Sequence, residues 1–265
     1  MDAHKNFNEY LEAKSNIVKY QTRDNVVFYL KGNKFSSAVA RRGLGRKNGI
    51  GSVAKLFKKD ELKIPGEHNF KNAIMASTVA KFMDCPDEII RETVVNFSGL
   101  EHRLEFVKEI RLKDWKIGGL DFGVKSFNLK SSNHTIRFYN DSASTNPQTT
   151  IAAIKSFQEP SILIAGGYDK GLDYDPWGKI IRKTSVRLVI LFGANKDKIK
   201  KSLKRFPIVI VNNLKLAVEA AISHSYCSCH RHSQIVLFSP GAASFDMFKD
   251  YADRGDKFKQ LINNL

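Results

Sequence analysis

The sequence predicts an α/β protein in which residues 104–265 form a doubly wound parallel sheet. Apolar strand patterns alternate there with helix-spaced patterns, and parallel strands need crossover helices between them. Glycines and short polar residues also fall just after the strand patterns, in the turns that such a sheet places along one edge.

Thr135–Asn140 is a β-rich run, followed by Pro147–Phe157 with helical spacing at Ile151, Ile154 and Phe157. Pro147 suits a first helical turn, where its missing N–H is not needed. Ser161–Ala165 is a strand ending in Gly166-Gly167, Asp175–Lys183 a helix, and Val186–Phe192 a second apolar strand ending in Gly193. Asp197–Arg205 is basic and helical, and Pro207–Val211 is a third strand. Leu214–Ile222 is a helix with Leu214, Ala217, Val218 and Ile222 at apolar positions, and Gln234–Phe238 is a fourth strand. Helical stretches are expected from Ala243 to Leu265.

The first hundred residues are less regular. Phe7–Tyr20 has helical spacing, Asn25–Leu30 is a strand, and Lys31–Lys63 reads as short strands and loops. Asn69–Met83 and Pro86–Phe97 are two helices, the second with Asp87 and Glu88 in its first turn, where the helix dipole favours acids. Two or three strands and three helices are thin for an independent α/β layer, so residues 1–100 are expected to be part of a domain and residues 101–265 a whole one. Arg111–Asn133 is expected to form a β-rich insertion or extended hairpin.

The 265 residues are enough for about two domains of ~100–200 residues. Lysine and arginine total 43 against 27 acidic residues, a net charge of +16. The excess is spread along the chain, densest in Lys31–Lys63, which reads as a solvated basic face or as a phosphate-attracting patch. No nucleic-acid recognition motif accompanies the charge, so no specific nucleic-acid partner is expected. Apolar runs fall far short of the ~18 residues that span a bilayer, and Met1-Asp2-Ala3-His4-Lys5-Asn6 lacks a secretory apolar core. The three cysteines are an odd number, which argues against a disulfide framework. A reduced cytoplasmic protein is expected.

Ligands of open α/β sheets bind at the carboxyl ends of the strands. Those positions hold Asp141-Ser142-Ala143-Ser144-Thr145-Asn146, Gly166-Gly167-Tyr168-Asp169-Lys170-Gly171 and Ser239-Pro240-Gly241-Ala242-Ala243-Ser244-Phe245-Asp246. Each is explained by turn chemistry alone. Three of them on one edge point to a site for an anionic small molecule.

The string Ile64-Pro65-Gly66-Glu67-His68-Asn69-Phe70-Lys71-Asn72-Ala73 is followed in order by Gly99-Leu100-Glu101-His102-Arg103, Asn140-Asp141-Ser142, Gly166-Gly167-Tyr168-Asp169-Lys170, Ser239–Asp246 and Arg254-Gly255. Together they resemble the Mur ligase family, and within it the branch that adds D-glutamate to UDP-N-acetylmuramoyl-L-alanine in peptidoglycan precursor synthesis. The resemblance implies a C-terminal Rossmann-like domain preceded by the incomplete C-terminal part of the central ATPase domain. It also implies ATP and Mg2+ as cofactors, and a ligase that phosphorylates a carboxylate with ATP before an amine attacks the acyl phosphate.

By motif position, Asn69 and Asn72 resemble the family's pair near the adenine. His102 and Arg103 resemble its interdomain corner, where the arginine reaches the nucleotide phosphates, and Asp141 its C-terminal-domain acid at the nucleotide. Thr145, Lys170, Ser244 and Phe245 fall where D-glutamate is held, with Lys170 as counter-ion to a carboxylate, and Tyr251 where an aromatic lines that pocket. Lys14 resembles the lysine that the family carbamylates to help position magnesium; taken alone it is an exposed helix lysine.

Ala143 departs from the family, many of whose members have lysine there. No G-x-x-x-x-G-K-[ST] occurs in the sequence, the loop whose backbone cradles ATP phosphates. The chain is therefore expected to correspond to the C-terminal half of such a ligase, inactive alone, with a separately encoded N-terminal half as a possible partner. The alternative is a non-catalytic glutamate- or nucleotide-binding module. His224, Cys227, Cys229, His230 and His232 crowd one loop; their spacing lacks the separated pairs of a structural zinc site, so a solvent-exposed loop is expected there, with metal binding as the alternative.

Overall fold

The computed structural model describes residues 6–51, 56–111, 135–226 and 233–265. Most of the expected Arg111–Asn133 hairpin, and Cys227, Cys229, His230 and His232, lie outside them. The chain divides into two compact units, one of residues 1–63 and 67–97, the other of residues 64–66 and 98–265.

The first unit contains α1 (Phe7–Lys19), β1 (Val26–Leu30), α2 (Lys34–Arg42), β2 (Arg46–Ile50), a 3-10 turn at Lys59–Glu61, α3 (Glu67–Phe82) and α4 (Asp87–Asn96). Asn6 caps α1 by accepting a hydrogen bond from the Glu9 N–H at 3.0 Å. β1 and β2 pair in parallel with α2 between them. Helix α2 corrects the expectation of only strands and loops across Lys31–Lys63. Its nine residues are too few for a clear apolar period. The legible signal was Asn33, whose side chain accepts from the N–H groups of Phe35 and Ser36.

The second unit contains β3 (Glu105–Arg111), β4 (Thr135–Asn140), α5 (Pro147–Ile154), β5 (Ser161–Ala165), α6 (Asp175–Ile181), β6 (Val186–Leu191), α7 (Lys196–Leu203), β7 (Ile208–Ile210), α8 (Leu214–Tyr226), β8 (Gln234–Phe238) and α9 (Tyr251–Asn263). The six strands lie in the order β3-β4-β8-β5-β6-β7, parallel except for β3, which runs antiparallel to β4 at the edge.

Alternate strand residues serve two cores, as the pleat requires. Leu163, Val189, Leu191 and Leu237 pack with Ile154, Trp177, Ile181, Ile199 and Leu203 of α5, α6 and α7. Ile162, Ile164, Ile190 and Phe238 pack with Leu214, Ala217, Val218 and Ile222 of α8 and Phe258 and Ile262 of α9. Helices therefore cover both faces, the doubly wound arrangement. Residues 243–250 are turns rather than the expected helix. Helix α9 starts at Tyr251, where Asp250 caps it through the Asp253 N–H at 2.8 Å.

Candidate functional site

β8 lies between β4 and β5, so the turns after these three strands are neighbours. Asp141 N–H donates to Phe238 O at 2.7 Å, Gly166 N–H to Pro240 O at 2.9 Å and Tyr168 N–H to Ala243 O at 2.9 Å. Gly166 has φ +115°, and a Cβ there would collide with the carbonyl of Phe192, so glycine is required for β5 to turn against β6.

Asp141 is buried at the centre of this edge. Its Oδ2 accepts from Ser144 Oγ at 2.5 Å and Ser239 Oγ at 2.6 Å, and its Oδ1 from Leu104 N–H at 3.2 Å. Burial pushes the carboxyl up to about 6, against the opposing pull of the two hydroxyls, the Leu104 amide and the positive charge of Arg103. Leu104 and His102 both have positive φ, +47° and +62°. The anchored amide thus helps hold a turn that neither side chain favours.

His102 is buried, whereas Arg103 is exposed. Asn140 Nδ2 lies 3.0 Å from His102 Nδ1 and 2.9 Å from Glu105 Oε2. Nε2 stands 3.9 Å from Asp256 Oδ1, and Lys259 lies 3.2 Å from the same oxygen and 3.3 Å from Glu105.

Arg254 of α9 ties two of the turns together. It is fully buried; Nε donates to Ser142 Oγ at 3.0 Å, Nη2 to Ser142 O at 2.8 Å and Nη1 to Ala243 O at 3.1 Å. Burial lowers its pKa to about 10 despite the charge of Asp246. Asp246 Oδ2 accepts from Ala194 N–H at 3.0 Å. Tyr251, exposed at the start of α9, meets the His102 ring edge-on at 6.1 Å between centroids.

Lys170 extends from the turn after β5 with Nζ 5.5 Å from the centroid of Phe245, and Tyr168 approaches the same ring at 6.5 Å. Phe245 and Tyr168 are exposed, Ser244 is buried, and Thr145 is half-buried just before Asn146, the α5 cap. A cation against exposed aromatic faces is a surface that can receive a carboxylate-bearing molecule. Lys170 and Phe245 are thus in contact, and Ser244 adjoins Phe245 in the chain. The turns bearing Asp141 and Thr145, and Ser244 and Phe245, are joined through Arg254.

Lys14, Asn69 and Asn72 belong to the first unit. Lys14 is exposed, with Nζ 5.3 Å from the Tyr10 ring centroid; Asn69 is half-buried and Asn72 exposed on α3. Among the described residues no three His, Cys, Asp or Glu side chains group so as to hold a metal ion.

Side chains not anticipated as site residues build much of this edge: Asn140, Ser142, Tyr174, Asn195, Ser239 and Arg254. Asn140, Ser142, Ser239 and Arg254 lay inside the motifs quoted above, and Ser142 and Ser239 also in the turns after the strand patterns. Asn195 and Tyr174 carried no such signal.

No protein-family model matches the sequence. The chain is 34% identical over 294 residues to the UDP-N-acetylmuramoylalanine–D-glutamate ligase of Clostridium kluyveri and 32% identical over 290 residues to that of Clostridium acetobutylicum. Both alignments cover 100% of this chain and 57% of the relative. Among solved structures, MurF from Acinetobacter baumannii superimposes with a TM-score of 0.65 at 13% identity, covering 97% of this chain and 55% of that one. MurF ligase from Thermotoga maritima, solved in complex with ADP, gives 0.58 at 10% identity, covering 99% and 61%. At such identities the structural likeness speaks for the fold. No described helix is long and apolar enough to cross a membrane. Similar along its whole length to ligases of which it spans little more than half, the chain is a homologue of the UDP-N-acetylmuramoylalanine–D-glutamate ligases among the Mur ligases.

Proposed function

We propose that the chain supplies the amino-acid-binding domain and part of the ATP-binding domain of a cytoplasmic ligase that joins D-glutamate to UDP-N-acetylmuramoyl-L-alanine. The observation that carries this reading is the convergence of the second unit's matched motifs on one sheet edge, where Asp141, Lys170 and Phe245 stand on adjoining turns. The first unit corresponds to the partial central domain and the second to the C-terminal domain.

A carboxylate is a poor electrophile until one oxygen becomes a phosphate leaving group, which is the chemistry that ATP supplies when bound. Arg103, exposed beside Asp141, would meet the nucleotide phosphates. Asp141 holds the turn that presents Arg103. Asn69 and Asn72 would lie at the adenine. Lys170 would pair with a carboxylate of D-glutamate, which keeps the acceptor amine oriented, with Thr145, Ser244, Phe245 and Tyr251 around it. Carbamylated Lys14 would help to position Mg2+.

Calorimetry with D-glutamate and with ADP tests the assignment. Wild-type chain should bind both, Lys170→Ala should lose D-glutamate, and Arg103→Ala should weaken ADP while leaving D-glutamate unchanged. A chain that binds neither ligand overturns the reading. Because the 265 residues contain no G-x-x-x-x-G-K-[ST], the polypeptide alone should not ligate D-glutamate, and activity should require that loop from another polypeptide. Ligation by the chain alone would refute this expectation. The same missing loop motif favours a second reading, a glutamate- or nucleotide-binding module without catalysis, which predicts binding but no activity with any complementing half.

A further inference from the structure

Asn195 stands at the N-cap of α7, yet its side chain makes no capping hydrogen bond. Asparagine at that position ordinarily accepts an N–H from its own first turn. Here the buried carboxamide is directed elsewhere: Oδ1 accepts from Gly167 N–H at 2.9 Å, and Nδ2 donates to the Tyr174 hydroxyl at 2.8 Å. The Asn195 N–H also donates to Gly167 O at 3.0 Å, so the two residues are joined in both directions. Tyr174, itself buried, passes the link to Gly241 O at 3.0 Å.

The segment held in this way leads directly to Lys170. Asp169 Oδ1 lies 3.2 Å from Lys198 Nζ in the first turn of α7, so the start of that helix grips the segment at both Gly167 and Asp169. The intervening Tyr168 N–H donates to Ala243 O, two residues before Phe245. Of these ties, the Gly167 and Tyr174 bonds are buried and the Asp169–Lys198 pair is exposed, where an ion pair holds weakly.

We infer that Asn195 is a positioning residue for the amino-acid side of the site, acting through Gly167 and Tyr174 to hold Lys170 against Phe245. This rests on the reading that Lys170 meets a carboxylate of the acceptor amino acid. Asn195 itself touches neither Lys170 nor the acceptor.

The test combines amide hydrogen exchange with D-glutamate titration on the full chain. In Asn195→Ala, amides of residues 167–171 should exchange about tenfold faster while those of β8 stay as in wild type, because a local tie has been lost rather than the sheet. D-glutamate affinity should fall about tenfold, short of the complete loss in Lys170→Ala, since the cation itself remains. Tyr174→Phe removes the two bonds of the hydroxyl, from Asn195 Nδ2 and to Gly241 O, while leaving the Gly167 N–H on Asn195 Oδ1, and should accelerate the same segment, which preserves the test if Asn195→Ala does not fold. Unchanged exchange at residues 167–171, or equal acceleration in β8, overturns the positioning role. Absence of D-glutamate binding by wild type instead overturns the acceptor reading and what is positioned.

Discussion

The imidazole of His102 occupies the space where a side chain at residue 255 would begin: a Cβ built on Gly255 would clash with His102 Nδ1. The glycine in α9 thus answers to a residue in the turn before β3. Gly255→Ala should raise helix propensity by ~1 kcal/mol and still destabilise the second unit by about 1–3 kcal/mol, because overpacking outweighs propensity. Chemical denaturation followed by tryptophan fluorescence measures this. His102→Ala in the Gly255→Ala background should recover part of the loss; no recovery would mean that the clash is not the cause.

Asp141 makes the second unit sensitive to pH in an unusual sense. Its carboxyl stands at about 6 in the folded chain, raised by burial, against ~3.9 when unfolded. Between those values the folded state keeps a proton that the unfolded state has released. This contribution therefore favours folding at pH 4 and is lost as pH rises through about 6, a change of roughly 2–3 kcal/mol. The difference in unfolding free energy between wild type and Asp141→Asn, measured from pH 4 to 7.5, isolates this contribution from other titrating groups. A flat difference would remove Asp141 as its source.

Arg254 should be intolerant of its closest substitutes. Lysine cannot reproduce three hydrogen bonds from a planar fork, and methionine leaves the buried Ser142 carbonyl without its guanidinium donor and Ala243 O with only the Tyr168 N–H. Either change should cost about 3–5 kcal/mol. Differential scanning calorimetry should show an earlier melting transition than in wild type. A loss below about 1 kcal/mol would show that the turns hold without this brace.

Asn146 provides a milder contrast. Its side chain accepts from Thr149 N–H at 3.0 Å at the start of α5. Asn146→Ala should cost ~1 kcal/mol, the usual value of a lost helix cap. Equilibrium denaturation checks it, and a cost like that of Arg254 substitution would point to a second role.

The legibility of these features in the sequence follows from how far each depends on distant neighbours. β5 and β8 are buried throughout, so they appear as continuous apolar runs. β3, exposed in alternation at the antiparallel edge, is a weaker pattern and was not anticipated, and α2 was too short and basic. The turns after β4, β5 and β8 could be located because turn residues follow strands. Arg254 is 112 residues from Ser142, and Asn195 is 28 from Gly167. Neither pairing is encoded by local spacing, since an asparagine before a helix reads only as its cap.

The position of β8 between β4 and β5 also bears on how the second unit is made. During synthesis β4, β5, β6 and β7 all emerge before the strand that joins the first of them to the rest. Until residues 234–238 leave the ribosome, β4 and β5 have no common neighbour, and Asp141 lacks the Ser239 hydroxyl. The edge built from the turns after β4, β5 and β8 is therefore among the last features to form, and a nascent chain halted before β8 would present an open central gap rather than a smaller continuous sheet.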